Sequence, residues 1–391
     1  LETFGGEIMD KHRTAVAAGH ICLDITPVFY GGRGTQMDKI LEPGKLIDVG
    51  AADIHTGGAV ANTGLAMQKL GIDTKLMGKI GDDALGKTIL SILESHHAAE
   101  GMIVDADATT SYSIVLAIPG IDRMFLHHPG ANHTFSYDDL DFAEIAKVDL
   151  FHFGYPPIMR NMYVNNGKEL VRIFQKVHKS GVLTSLDLAA IDPSSEAAQQ
   201  NWEEILRQVL PYVDFFVPSI EELCMMIAPE TYAKWLERAN GSDVTGILSL
   251  SDILPLVEKL RSMGARNFLI KCGAPGLYYD MANAEVQQEL EEKSGLSFLN
   301  WAGKSGFEKS YTPDQVLSGT GAGDTTIAAF LSALLQGYDL ETCLHLASAT
   351  GASCVAAYDA LSGIKPFAEQ LEHMKNGWKK QDLLKMEEET C

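Results

Sequence analysis

The feature that most restricts the fold lies between residues 138 and 272, where short apolar runs alternate with amphipathic segments of helical period. The pattern predicts a short helix over 137–147, a strand over 148–153 and a helix over 166–179 with Leu170, Phe174 and Val177 on one stripe. It continues with a strand over 182–187, a helix over 196–209, a strand over 213–217, helices over 220–227 and 251–263, and a strand over 268–272. Strands that are apolar throughout are covered on both faces. The alternation therefore implies parallel pairing, right-handed crossovers and a sheet with helices on each side. Upstream, 15–25 reads as one buried strand ending near Asp24, and 74–80 as another. The charged stretch within 282–312 breaks the pattern and reads as an insertion lying over the surface.

Gly319-Thr320-Gly321-Ala322-Gly323-Asp324 opens the apolar helical run 325–335. Closely spaced glycines let backbone N–H groups approach a ligand, and the start of a helix adds the positive end of its dipole, so the loop suits an anion. A carboxylate beside a bound anion is repelled unless it has a task. Taking a proton from a hydroxyl that attacks phosphorus is such a task. A flexible turn with an acidic helix start is the plain alternative. Gly57-Gly58 enters a second helix, with Asn62 one turn in and Gly71 closing it; a ligand contact and an ordinary helix start fit equally well. Asp24, at the end of its strand, either turns the chain or faces a ligand.

Residues 81–88 match the phosphate-loop template G-x-x-x-x-G-K-[ST], centred on Lys87, but Asp82 and Asp83 would then sit against a triphosphate and oppose it. Strands over 111–118 and 124–128 flank a hairpin signal at 119–122. With the turn-rich 31–34 and an extended piece over 46–49, they predict a small separate sheet. His127 and His128 are adjacent in a strand, point to opposite faces and do not share a metal site easily.

A net charge of −21 disfavours nucleic acid and anionic membranes as partners, which require a basic footprint. The six cysteines are scattered without C-x-x-C and read as reduced, in a cytoplasmic protein. No apolar run reaches bilayer length. The segments 1–13 and 379–391 read as tails around one domain over 14–378, with lid strands drawn from about 24–54 and 111–130.

Taken in order, Gly57-Gly58 with Asn62 and Leu70-Gly71, Gly78-x-x-Gly81-x-Asp83-x-x-Gly86, Gly130-Ala131-Asn132 and Gly321-Ala322-Gly323-Asp324 resemble the signatures of the ribokinase-like carbohydrate kinases, the phosphofructokinase-B family, over roughly 15–370. The resemblance reassigns the apparent phosphate loop to the second of these signatures. It implies an α/β three-layer sandwich with a mostly parallel central sheet and a small β-sheet lid. It also implies ATP and Mg²⁺ as cofactors and transfer of the γ-phosphoryl group to a hydroxyl of a small-molecule sugar.

By matching position, Asp324 resembles the catalytic base and the amides of Gly321, Ala322 and Gly323 the anion hole. Asp24, Gly57, Gly58 and Asn62 fall where the family holds sugar hydroxyls. Ser219, Lys271, Gly273, Gly276 and Ser348 fall in its nucleotide-binding elements, and Glu222 matches an acidic residue tied indirectly to Mg²⁺. Ser219 and Ser348 stand where Asn is common, Lys271 where Thr is common, and Ser318 where an Asp of the cation loop is common. The last departure leaves monovalent-cation dependence open. Few basic residues near the sugar positions, Arg33 excepted, favour an unphosphorylated sugar or sugar acid. A nucleoside kinase, using Phe29, Tyr30 and Tyr112, and a non-catalytic sensor are the alternatives. Pairing of two copies through the lid is common in the family.

Overall fold

The computed structural model describes residues 12–30, 41–118 and 124–385. Its strands are β1 (Thr14–Gly19), β2 (Cys22–Thr26), β3 (Asp53–Gly57), β4 (Asp73–Gly81), β5 (Met102–Asp105), β6 (Tyr112–Leu116) and β7 (Met124–His128). These are followed by β8 (Leu150–Gly154), β9 (Leu183–Leu186), β10 (Phe215–Phe216), β11 (Asn267–Lys271), β12 (Gly276–Asp280) and β13 (Ser305–Lys309). Nine of them form one sheet in the order β13-β12-β11-β10-β9-β8-β1-β4-β5. All neighbours are parallel except β11–β12 and β12–β13. β1 and β8 lie centrally, and Ala15–Ala18 and Leu150–Gly154 are buried along their whole length. Each face carries its own core. One is built on Phe151, Phe153, Phe174 and Leu206; the other on Phe215, Trp301, Phe330 and Leu334. This is the mostly parallel α/β sheet, covered by helices on both faces, that the alternating pattern predicts.

The remaining strands make a four-stranded sheet in the order β3-β2-β6-β7. The stretch 15–25 is accordingly two strands, not one. The chain leaves the large sheet at His20–Ile21 and enters the small one at Cys22. Asn132 holds that crossing, accepting from the Ile21 N–H at 3.1 Å and donating to the Ile21 carbonyl at 2.8 Å. Asp24 thus lies on the small sheet instead of the edge of the large one. The extended piece expected over 46–49 is irregular, and β3 forms at Asp53–Gly57 instead. The expected 31–34 turn and the 119–122 hairpin lie outside the described residues.

Two further expectations fail. Residues 282–312 are no surface insertion: Leu290 of the helix Ala284–Ser294 and the buried Phe298 and Trp301 join the second core, and β13 forms the edge of the large sheet, with Phe307 against the first core. The helix Pro229–Ala239 was not anticipated. Residues 379–385 are bonded down against the segment that follows β13 and against Leu248: the Thr312 N–H donates to Lys379 O, the Gln381 N–H to Ser310 O and the Lys385 N–H to Leu248 O, while Lys380 pairs with Glu308 at 2.6 Å.

Candidate active site

The carboxyl ends of the parallel strands converge on one crevice, the usual ligand position in such sheets. β1 delivers His20, β8 Tyr155, β9 Asp187, and β11 Lys271. The helix Ala322–Leu335 starts there with Gly321 at its N-cap in a left-handed conformation, φ +72°, where a Cβ would also lie 2.2 Å from that of Ala360. Both facts demand glycine.

Asp324 occupies the first turn of that helix and is only 4% exposed. Two side chains, Asn62 and Tyr155, bind its carboxylate closely, and Thr63 approaches it at longer range. Asn62 Nδ2 donates to one oxygen at 3.0 Å, Thr63 reaches the other at 3.5 Å, and the Tyr155 hydroxyl lies 2.8 and 2.9 Å from the two. Burial pushes the Asp324 carboxyl above its ordinary value, against the pull of Lys271, Tyr155 and Asn62. The Ala322 N–H makes one long turn bond of 3.3 Å to Gly319 O; the Gly323 amide follows it in the orphan first turn, where helix geometry supplies no acceptor.

On one side of Asp324 stands Lys271, whose Nζ lies 2.9 and 3.1 Å from the oxygens of Asp187. A Cβ on Gly323 would come within 3.6 Å of the same ammonium, so lysine and helix start share one space. Burial drives the Asp187 carboxyl up to about 8, opposed by Lys271 and reinforced by Glu222 and Asp324. Burial acts to lower the Lys271 ammonium, but the carboxylates of Asp187, Glu222 and Asp324 more than offset it and hold it above its ordinary value.

On the other side lies the small sheet. A Cβ on Gly57 would sit 2.2 Å from Asp24 Oδ2, so the Asp24 carboxylate rests directly on the Gly57 backbone. Burial raises the Asp24 carboxyl, and hydrogen bonds from Cys22 and Ser113 oppose the rise. Gly58, at φ +82°, passes His20 so closely that a Cβ would meet its Nδ1 at 2.6 Å. Both ring nitrogens of His20 are buried without a partner, and burial keeps the imidazole neutral.

The structure brings Asp324, Gly321, Ala322, Gly323, Asn62, Gly57, Gly58, Asp24 and Lys271 to this crevice. Ser219 and Glu222 form a reciprocal cap on the helix Ile220–Ile227: the Ser219 N–H donates to Glu222 at 3.1 Å and the Glu222 N–H to Ser219 Oγ at 3.3 Å. The Lys271 N–H bonds Pro218 O, which places that cap beside the crevice. Gly273 and Gly276 bound the turn after β11, where they face Thr245 and the β13 backbone respectively. Ser348 is less available than expected, because its hydroxyl donates to Lys309 O at 3.1 Å. Beyond the loop that leads into Gly319, a cavity of about 620 Å³ lies against Asp314, Gln315, Ala352, Ser353 and Trp378.

The phosphate-loop reading fails on geometry. Asp83 fills the turn itself, accepting from the Gly86 and Thr110 N–H groups at 2.8 Å each, and the exposed Lys87 pairs with Asp82. His127 and His128 do face apart, toward His20 and Tyr112 respectively. Sequence reasoning missed Tyr155, Asp187 and His20. Their one available signal was position, immediately after a strand of the parallel sheet.

Among the described residues no helix is long and apolar enough to cross a membrane. Comparison with known proteins bears out the fold. A sugar kinase of Archaeoglobus fulgidus, itself uncharacterised, is 22% identical over 300 residues, which are 77% of this chain and 98% of that protein. The structure of Arabidopsis thaliana ribokinase complexed with ribose and ATP superposes with a TM-score of 0.66 at 20% identity, covering 93% of this chain and 99% of the other. That of a putative Escherichia coli ribokinase II with ATP and Mg²⁺ gives 0.64 at 19% identity, over 93% and 99%. The model of the pfkB family of carbohydrate kinases matches residues 35–365, and the chain belongs to that family of phosphotransferases with an alcohol group as acceptor.

Proposed function

We propose that the chain transfers the γ-phosphoryl group of ATP to a hydroxyl of an unphosphorylated sugar or sugar acid, with Asp324 as the base. The observation that carries this reading is the placement of Asp324. It lies between Asn62 and the small sheet on one side and Lys271 and a helix N-terminus on the other. A hydroxyl seated by Asp24, Asn62 and the Gly57–Gly58 backbone gives its proton to Asp324 as its oxygen approaches phosphorus. The amides at Gly321–Gly323, the helix dipole and Lys271 hold the charge that spreads over the transferred group. The cavity beside Gln315 and Ala352 has room for the base and ribose of the nucleotide.

Magnesium fits this donor set only through the nucleotide. Among the described residues no three potential ligands come together, but Mg²⁺ ordinarily takes one or two carboxylates plus phosphate oxygens and water, and Glu222 and Asp187 are at hand. When bound, it neutralises phosphate charge. The preference for an acceptor without phosphate rests on Asp24, whose partners are Cys22, Ser113 and, across the β2–β3 pair, His55, with no Arg or Lys among them. A phosphosugar calls for Arg or Lys at that end. Arg33 lies outside the described residues.

The test is ADP release with ATP and Mg²⁺ across neutral sugars, sugar acids, phosphosugars and nucleosides, with the phosphorylated product identified by mass. Turnover confined to unphosphorylated sugars or sugar acids is expected. Turnover confined to phosphosugars or to nucleosides, or none across the panel, overturns the reading.

A further inference from the structure

Tyr155 follows Gly154, the last residue of β8, with φ +68° and ψ 37°. A bulky aromatic residue enters this left-handed region only at a cost, and such residues concentrate where a side chain must be aimed. Pro156, next in the chain, closes off the right-handed helical alternative. The outcome of this backbone choice is the hydroxyl that sits within 2.9 Å of both oxygens of Asp324. A residue needed only to fill space requires neither the conformation nor the hydroxyl.

We propose that Tyr155 is a positioning residue for the base: its hydroxyl, shared between both oxygens of Asp324, fixes the carboxylate plane so that a lone pair faces the acceptor hydroxyl. The inference rests on the reading of Asp324 as the base. Asn62 anchors one oxygen at 3.0 Å, and the Thr63 contact at 3.5 Å is too long to hold the other, so without Tyr155 the carboxylate can swing about a single strong bond. The charged and titratable groups around Asp324 are Lys271, Asp187 and Glu222 on the phosphate side and Asp24, Cys22 and the neutral His20 on the other. Lys271 is the counter-charge among them, and Asp187 already holds it. The phenol itself stays protonated, because burial and Asp324 raise it well above its ordinary value, so it serves as a donor throughout the working range.

A donor to the carboxylate favours its ionised form, so losing it raises the pH at which Asp324 ionises, by about one unit or more. The experiment is a carbon-13 titration of protein labelled at aspartate carboxyls, with the Asp324 signal assigned by its loss in Asp324→Asn. In Tyr155→Phe, checked for a wild-type circular dichroism spectrum, the midpoint should move up. The acid limb of kcat with the best acceptor should move with it while KM for ATP stays. In a second variant, 3-fluorotyrosine at position 155 supplies a stronger donor and should move the midpoint down. A midpoint that stays put in both folded variants overturns the proposal. Failure of the kinase reading would show separately, as a wild-type protein without turnover on any acceptor.

Discussion

Asp324→Asn separates chemistry from architecture more sharply than any other change in this site. The substitution keeps the shape of the side chain, and the amide can still accept from Tyr155 and face Asn62, so the crevice should persist. What disappears is the carboxylate proposed as the proton acceptor. A positioned base contributes roughly 10²–10⁴-fold, which at about 1.4 kcal/mol per decade is about 3–5 kcal/mol of barrier. That loss should fall on kcat, with the affinity for a non-hydrolysable ATP analogue near that of the wild type, because in the proposed arrangement Lys271 and main-chain amides hold the phosphates. Stability should move the other way. The Asp324 carboxyl is raised in the folded protein by burial, so the stability it contributes is fully present below its unfolded value near pH 4 and is lost as pH rises through the folded one. Asparagine has no proton to lose. The gap in Tm between variant and wild type should therefore open in favour of the variant as pH climbs from about 4 to neutrality. Initial rates, calorimetric titration of the analogue and melting curves at several pH values are the assays. A folded variant with kcat within a few-fold of wild type would remove Asp324 from the mechanism, and a variant that melts lower at neutral pH would refute the account of its burial.

Gly57→Ala places a methyl 2.2 Å from Asp24 Oδ2 and must drive that carboxylate aside; KM for the sugar should rise by about tenfold or more with KM for ATP unchanged, and an unchanged sugar KM would sever Asp24 from substrate. Lys271→Met leaves Asp187 facing Glu222 and Asp324 without a cation, so binding of an ATP analogue, measured by calorimetry, should weaken by at least about tenfold. Asp187→Asn addresses pH. The wild-type carboxyl, raised to about 8, adds stability that is complete near pH 4 and fades up to about pH 8, so the substitution should flatten the fall of Tm with pH over that window, and a parallel curve would contradict it.

The parallel sheet was legible because its strands are apolar on both faces and its helices are striped, and where those signals weaken the reading failed. The helix Ala284–Ser294 buries only Gln287 and Leu290, so its charged face concealed a segment that supplies Phe298 and Trp301 to the core. In the helix Pro229–Ala239 only Trp235 and Ala239 are buried, a stripe too thin to stand out. The run 15–25 hid a change of sheet for the opposite reason. Both parts are apolar, and composition carries no mark of the turn that Asn132, over a hundred residues away, clamps at Ile21. In the site, motifs exposed residues that lie together in sequence. Tyr155, Asp187 and His20 are single residues at separate strand ends, and only the register of β1, β8 and β9 draws them together.

That geometry also answers how a chain of net charge −21 can serve a polyanionic nucleotide. At physiological ionic strength charges more than about 8 Å apart are largely screened, so the relevant balance is local. Locally, Asp187, Glu222 and Asp324 outnumber Lys271, and the excess is tempered by burial, which favours the protonated forms of Asp187 and Asp324. Triphosphate brought in with its divalent cation adds both signs at once, and the helix start at Gly321 contributes about half a positive charge without any side chain. Acidity in this crevice therefore does not argue against an anionic ligand. It suits the proposed ligand, which arrives with its counter-ion, meets main-chain donors, and leaves a carboxylate to ionise where a hydroxyl loses its proton.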